Sequence, residues 1–209
     1  MKSNKGKRIA LLASAILVSA GLATGIGVTY ALYSKQVKVI NHVTIGNLSF
    51  DLKRTKLETY AIDSNTGFLA QLPSDENTLD LSKDGSKAFE AENAAPGASY
   101  KATFELTNTG GTAFTAKAEI PSTAITLTGV DKENRDSVLS NIEVSFDEGE
   151  AKSLLSEDIA YDLGSFAIKE KKTFTLQVQF KDTLGNEAQN AALDFALRLV
   201  ATEAVSKSE

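Results

Sequence analysis

Cysteine is absent from the 209-residue chain, and histidine occurs once, at His42. The first absence rules out a disulfide framework, a cysteine nucleophile and a thiolate metal site. The second leaves no histidine pair for zinc and a single candidate for any Ser-His-Asp arrangement, so a strand-surface imidazole is the expected role of His42. No HExxH, GxGxxG or phosphate-binding lysine loop occurs, which removes the usual footholds of metallopeptidase and nucleotide chemistry. Acidic residues gather at Asp147, Glu148, Glu150, Glu157 and Asp158, and again from Asp131 to Asp136. Neither group has the spacing of a calcium loop, and solvated loop charge is the expectation. The sequence therefore assigns no catalytic residue, no metal ligand and no cofactor.

The first segment differs from the rest. Lys2, Lys5, Lys7 and Arg8 precede a charge-free apolar run from Ile9 to Val28, the layout of an export signal. Thr29-Tyr30-Ala31 supplies a small-x-small triplet, which places the expected cut between Ala31 and Leu32. The alternative is an uncleaved anchor, since roughly 20 apolar residues can span a bilayer. Residues 1–31 hold four basic groups and no acidic ones, so removing them leaves 18 basic against 27 acidic residues and moves the formal charge from −5 to −9. An acidic surface without a basic, aromatic-laced stripe repels phosphate backbones and speaks against nucleic acid as a partner.

Past the signal, apolar and polar residues alternate with period two, which reads as half-buried strands. The clearest runs are Leu193, Phe195, Leu197, Leu199 and Ala201; Phe174, Leu176, Val178 and Phe180; and Tyr100, Ala102, Phe104 and Leu106. Shorter runs are Leu48–Leu52, Phe114–Ile120, Ile125–Leu127 and Ile142–Phe146, for about eight strands in all. Turn residues separate them: Pro96-Gly97, Asn108 to Gly111, and Gly185-Asn186. Helical periodicity is confined to one short stretch near Ala151–Ser156 and another near Lys132–Leu139. With no βαβ alternation, the expected fold is all-β, a jelly-roll-like antiparallel β-sandwich. Residues 58–88 lack a clear period and read as a long surface excursion.

Several short motifs, in order, resemble the TasA/camelysin family. They are Gly27-Val28-Thr29-Tyr30-Ala31-Leu32-Tyr33-Ser34 around the cut, Gly46-Asn47-Leu48-Ser49-Phe50-Asp51-Leu52, and Ala95-Pro96-Gly97-Ala98-Ser99. Phe104-Glu105-Leu106-Thr107-Asn108-Thr109-Gly110, Val178-Gln179-Phe180-Lys181-Asp182 and the closing run from Leu193 to Glu203 complete the set. The resemblance implies a jelly-roll domain, export through a dedicated signal peptidase with membrane contact only before cleavage, and assembly into biofilm matrix fibres outside a Gram-positive bacterium. Partners would be other copies of the chain and further matrix proteins. Camelysins are described as metallopeptidases, an activity for which this sequence offers no zinc motif; a monomeric adhesion or accessory module on the cell surface is the other alternative.

The implied division is a signal at 1–31, an extended arm at 32–45, a sandwich at 46–205 and a frayed end at 206–209. In the arm, Leu32, Tyr33, Val37, Val39, Ile40, Val43 and Ile45 are candidates for a donor strand that would add to the sheet edge of a neighbouring subunit. The arm reads as a strand without a place of its own; the alternative is that it pairs within its own sheet.

Overall fold

The period-two runs become strands whose alternate residues are buried. The computed structural model describes residues 34–43, 48–63, 65–83, 85–92 and 94–204. In chain order the strands are β1 (Ser34–Val43), β2 (Phe50–Ile62), β3 (Leu69–Gln71), β4 (Leu79–Asp80), β5 (Lys87–Glu92), β6 (Ser99–Asn108) and β7 (Phe114–Ile120). After them come β8 (Ile125–Thr128), the short helix α1 (Arg135–Ser140), β9 (Ile142–Phe146), β10 (Lys152–Ser153), β11 (Ile159–Phe166), β12 (Lys171–Phe180) and β13 (Ala192–Glu203). The signal, the cut at Ala31 and Leu32, the arm residues Leu32, Tyr33 and Ile45, and the frayed end lie outside the described residues.

Two sheets form the sandwich. Sheet I runs β11-β7-β13-β1-β5, with β8 beside β13; sheet II runs β10-β9-β12-β6-β2-β3, with β4 beside β2. All ladders among the described residues are antiparallel except that of β1 with β13. Sheet II turns Tyr100, Ala102, Phe104 and Leu106 of β6 and Phe174, Leu176, Val178 and Phe180 of β12 inward, all buried. Sheet I answers with Phe114, Ala116, Ala118 and Ile120 of β7 and the alternating residues of β13. Each fully buried Phe or Leu stabilises the fold by roughly 1.5–3 kcal/mol relative to exposure. Aromatic pairs join the layers at three places: Phe50 with Phe114 at 6.2 Å, Phe89 with Tyr100 at 6.2 Å and Phe146 with Tyr161 at 5.4 Å.

The structure corrects four local expectations. There are thirteen strands among the described residues instead of about eight. The helix expected near Ala151–Ser156 is absent: Leu154 N–H donates to the Ile142 carbonyl at 2.9 Å and Ser153 Oγ to the Leu139 carbonyl at 3.1 Å, so the segment is the return limb of a hairpin. Its counterpart at Lys132–Leu139 does form, as α1, with Val138 and Leu139 buried. The 58–88 excursion is largely sheet: β2 continues to Ile62, and β3, the bridge Leu57↔Asp75 and β4 descend along its outer edge. Leu72 N–H to the Thr59 carbonyl and Leu81 N–H to the Leu52 carbonyl fill the gaps.

The fourth correction concerns the arm. Residues 34–43 have a place in their own molecule. As β1 they lie inside sheet I, parallel to β13 and antiparallel to β5.

Candidate functional site

The housing of β1 is the feature of this fold with consequences beyond stability. One wall is β13, which registers with β1 from Ser34↔Ala192 to Val43↔Ala201. Val37, Val39 and Val43 fall on the rungs of Phe195, Leu197 and Ala201, three buried residues. Ile40 is opposite Arg198 and His42 opposite Val200. The other wall is β5, whose ladder with β1 reaches only from Ser34↔Glu92 to Lys38↔Lys87. Four candidate donor residues, Val37, Val39, Ile40 and Val43, thus stand together on the β13 ladder, and Val37 alone of them is also paired with β5.

The β5 wall contains a bulge. Val37 pairs with Phe89 and Lys38 with Lys87, leaving Ala88 as the extra residue. Ala88 and Phe89 are both buried, at 0% and 3% exposure, where strict alternation would bury only one. The Ala88 carbonyl accepts a 2.9 Å hydrogen bond from Arg54 Nη1 in the interior. Arg54 lies on the inward period of β2 after Phe50 and Leu52, and is one of two polar residues in the buried set. Its Nη2 pairs with Asp75 Oδ2, while its Nε has no partner among the described residues. The guanidinium therefore ties β2, the excursion and the slot wall together. Asp75 is held for this by Asn77, whose N–H donates to Oδ1 at 2.9 Å. That amide, followed by the Asn77 side chain and then the Arg54 charge, keeps the carboxyl below its ordinary value of 3.8.

Beneath the wall lies Tyr100, 3% exposed, stacked on Phe89 and edge-on to Phe180 at 6.3 Å. Its hydroxyl has no partner among the described residues, and burial pushes its pKa up to about 12.

Elsewhere three of the acidic residues, Asp147, Glu148 and Asp158, bind the protein itself. Asp147 Oδ1 accepts Thr175 N–H at 2.6 Å and its Oδ2 accepts the Tyr161 hydroxyl at 2.9 Å. Glu148 pairs with Lys101 at 3.0 Å, and Asp158 caps Ser122 through N–H and Oγ at 2.8 and 2.9 Å. Among the described residues no group of three or more His, Cys, Asp or Glu could hold a metal ion, and no helix is long and apolar enough to cross a membrane. A groove of about 260 Å³ runs along Phe146, Ile159 and Tyr161, but its phenol is already committed to Asp147. Alternation alone did not single out Arg54 or the Ala88 bulge. A basic residue on an apolar period was the available signal for the former.

Fold and slot together define an all-β sandwich that houses its first described strand inside a sheet. The chain matches no protein-family model and no curated protein. Among solved structures it is similar to the major pilin of Streptococcus pyogenes, at 10% identity, 80% coverage of this chain, 48% of the pilin chain and a TM-score of 0.22. A single-residue mutant of that pilin gives 11% identity, the same coverages and a TM-score of 0.23. AvmM, described as catalysing macrocyclization in alchivemycin A biosynthesis, gives 11% identity, 55% and 84% coverage and a TM-score of 0.25. The chain spans about half the length of the pilin chains it matches. At these scores the likenesses carry no argument about function.

Proposed function

We propose that this chain is a secreted structural subunit of an extracellular biofilm matrix fibre, polymerising by donating β1 to the slot of a neighbouring copy. One observation supports the reading: β1 sits inside a sheet, yet continues into the rest of the domain only through residues 44–49. A strand attached in this way can leave its own slot and occupy that of another copy. Home pairing and donation then compete for the same slot, so concentration and the connecting segment decide between them. Signal peptidase cleavage after Ala31 would free the leading end of the arm from the membrane. The family resemblance of the sequence motifs supports the same destination, the matrix or surface of a Gram-positive bacterium, with further matrix proteins as partners.

Electron microscopy of the protein beginning at Leu32, beside a version lacking Leu32–Ile40, tests the reading. Fibres are expected from the first and not from the second, and fibres from the shortened protein defeat the proposal. The pairing of β1 at home favours a second reading, a monomeric surface module. Dispersed particles at every concentration of the longer protein would support it.

A further inference from the structure

Strand directions add a constraint to assembly, and that constraint rests on the fibre reading. The sandwich has two distinct ends. Ser34, Ala192, Glu92 and Ser99 lie at one, since Ser34 pairs with Ala192 and Glu92, and Glu92 leads within a few residues to Ser99. Val43, Ala201, Phe114 and Phe50 lie at the other: Val43 pairs with Ala201, Ala201 with Ala116 near the start of β7, and the Phe114 ring meets Phe50 at 6.2 Å. Thus β1 begins at the Ser34 end and finishes at the Phe50 end, where β2 starts.

Six residues, 44–49, join Val43 to Phe50. Fully extended they reach roughly 20–25 Å, whereas a ten-residue strand such as β1 is about 33 Å long. The connection cannot run the length of a sandwich. Consider an arm lent to a neighbour in its home direction, parallel to β13. Its Val43 then lies at the acceptor's Phe50 end, and the donor's own Phe50 must lie close by. The two copies meet with like ends together, and each has its arm beside the other's slot. Reciprocal exchange closes such a pair as a two-fold dimer and leaves nothing to extend.

We infer that fibre growth requires the donated arm to enter the neighbouring slot reversed, antiparallel to β13 and parallel to β5, so that a slot emptied of its own β1 is a site for the oppositely directed arm of a second copy. Val43 then lies at the acceptor's Ser34 end, the donor's Phe50 end abuts it, and the contact is head to tail and open. The arm permits either direction because its valines occupy one parity. Turned about the Val39↔Leu197 rung, Val37 moves opposite Leu199 and Val43 opposite Leu193, both buried residues of β13. In either sense the valines fall on rungs whose β13 residues are buried.

The absence of cysteine makes the direction measurable. Two singly substituted proteins are mixed before assembly, one carrying Gln36→Cys and the other a cysteine on β13, so that a disulfide between them joins different subunits. In the home direction Gln36 is opposite Asp194; reversed about Leu197 it is opposite Val200. Neighbouring strands bring Cα atoms within disulfide range, and the two ends of the ladder do not. Isolated fibres under mild oxidation are expected to give Gln36→Cys with Val200→Cys as the dominant crosslinked dimer, with at least a tenfold deficit for Gln36→Cys with Asp194→Cys. Predominance of the Asp194 pair in fibres overturns the reversal while leaving strand donation standing. Fibres in which neither pair crosslinks overturn it as well, because the reversed rung about Leu197 is then not made. Failure of the unsubstituted protein to form fibres instead removes the fibre reading on which the inference rests.

Discussion

Replacing Arg54 with Met isolates the fastening of the slot wall. The guanidinium donates Nη1 to the Ala88 carbonyl and pairs Nη2 with Asp75. Methionine keeps much of the volume and none of the donors. Asp75 has a side chain 37% exposed and recovers water when the pair is lost, so its share of the cost is small. The Ala88 carbonyl stays in the interior, its residue 0% exposed, and leaving it unpaired costs about 1–3 kcal/mol. For a domain of this size each kcal/mol lowers Tm by about 2–4 °C, giving an expected fall of roughly 2–12 °C by circular dichroism. The loss should also be local. Hydrogen exchange should speed up in β5 and in the β1 amides that face it, while β9 and β12 keep their protection. Asp75→Asn should do less, because the bond to Ala88 survives. An unchanged Tm together with unchanged exchange in β5 would refute the reasoning.

Joining the home rung with Gln36→Cys and Asp194→Cys in one chain should lock β1 in place: the oxidised protein stays monomeric, reduction restores fibres, and fibres from the oxidised form would count against strand donation. Tyr100→Phe should leave stability at neutral pH equal or higher, because a buried hydroxyl without a partner is a cost; destabilisation in urea would show that the hydroxyl is satisfied. The unfolded phenol ionises near 10 and the folded one near 12, so folding favours the neutral form. That contribution is present below pH 10 and is lost as pH rises from 10 to 12, a loss that Tyr100→Phe should abolish in alkaline unfolding curves. At the acid end Asp158 is held below 3.8 first by the backbone amide of Ser122. Its stabilisation is present above 3.8 and disappears as pH falls through the lower folded value, so Asp158→Asn should flatten the acid limb of urea midpoints; an unaltered limb would argue against that cap.

Strands that bury one face were legible in advance because period two is a local signal: β6, β7, β9, β12 and β13 fall where the alternation put them. Strand β11 was missed because its register slips between Asp162 and Gly164, the latter at φ +74°, and the slip breaks the period. In β5 the bulge at Ala88 puts two buried residues side by side, with the same effect. The strands of the excursion are two or three residues long and carry no period at all. The arm was legible as a strand, from Val37, Val39 and Val43, but alternation says which face is apolar and not whose edge receives it. A strand bound in its own molecule and one bound in another obey the same local rules.

The segment between β2 and β5 occupies the outer side of β2 from Leu52 to Ile62, where a bare edge would invite other sheets to stack alongside. At the far border of the opposite layer, β11 is kinked at Gly164 and bears Asp162 beside the kink, a poor template for pairing. Broadside growth into rafts or amyloid-like plates is thereby discouraged at these two edges. Whatever this molecule builds should not widen by sheet pairing across those two borders.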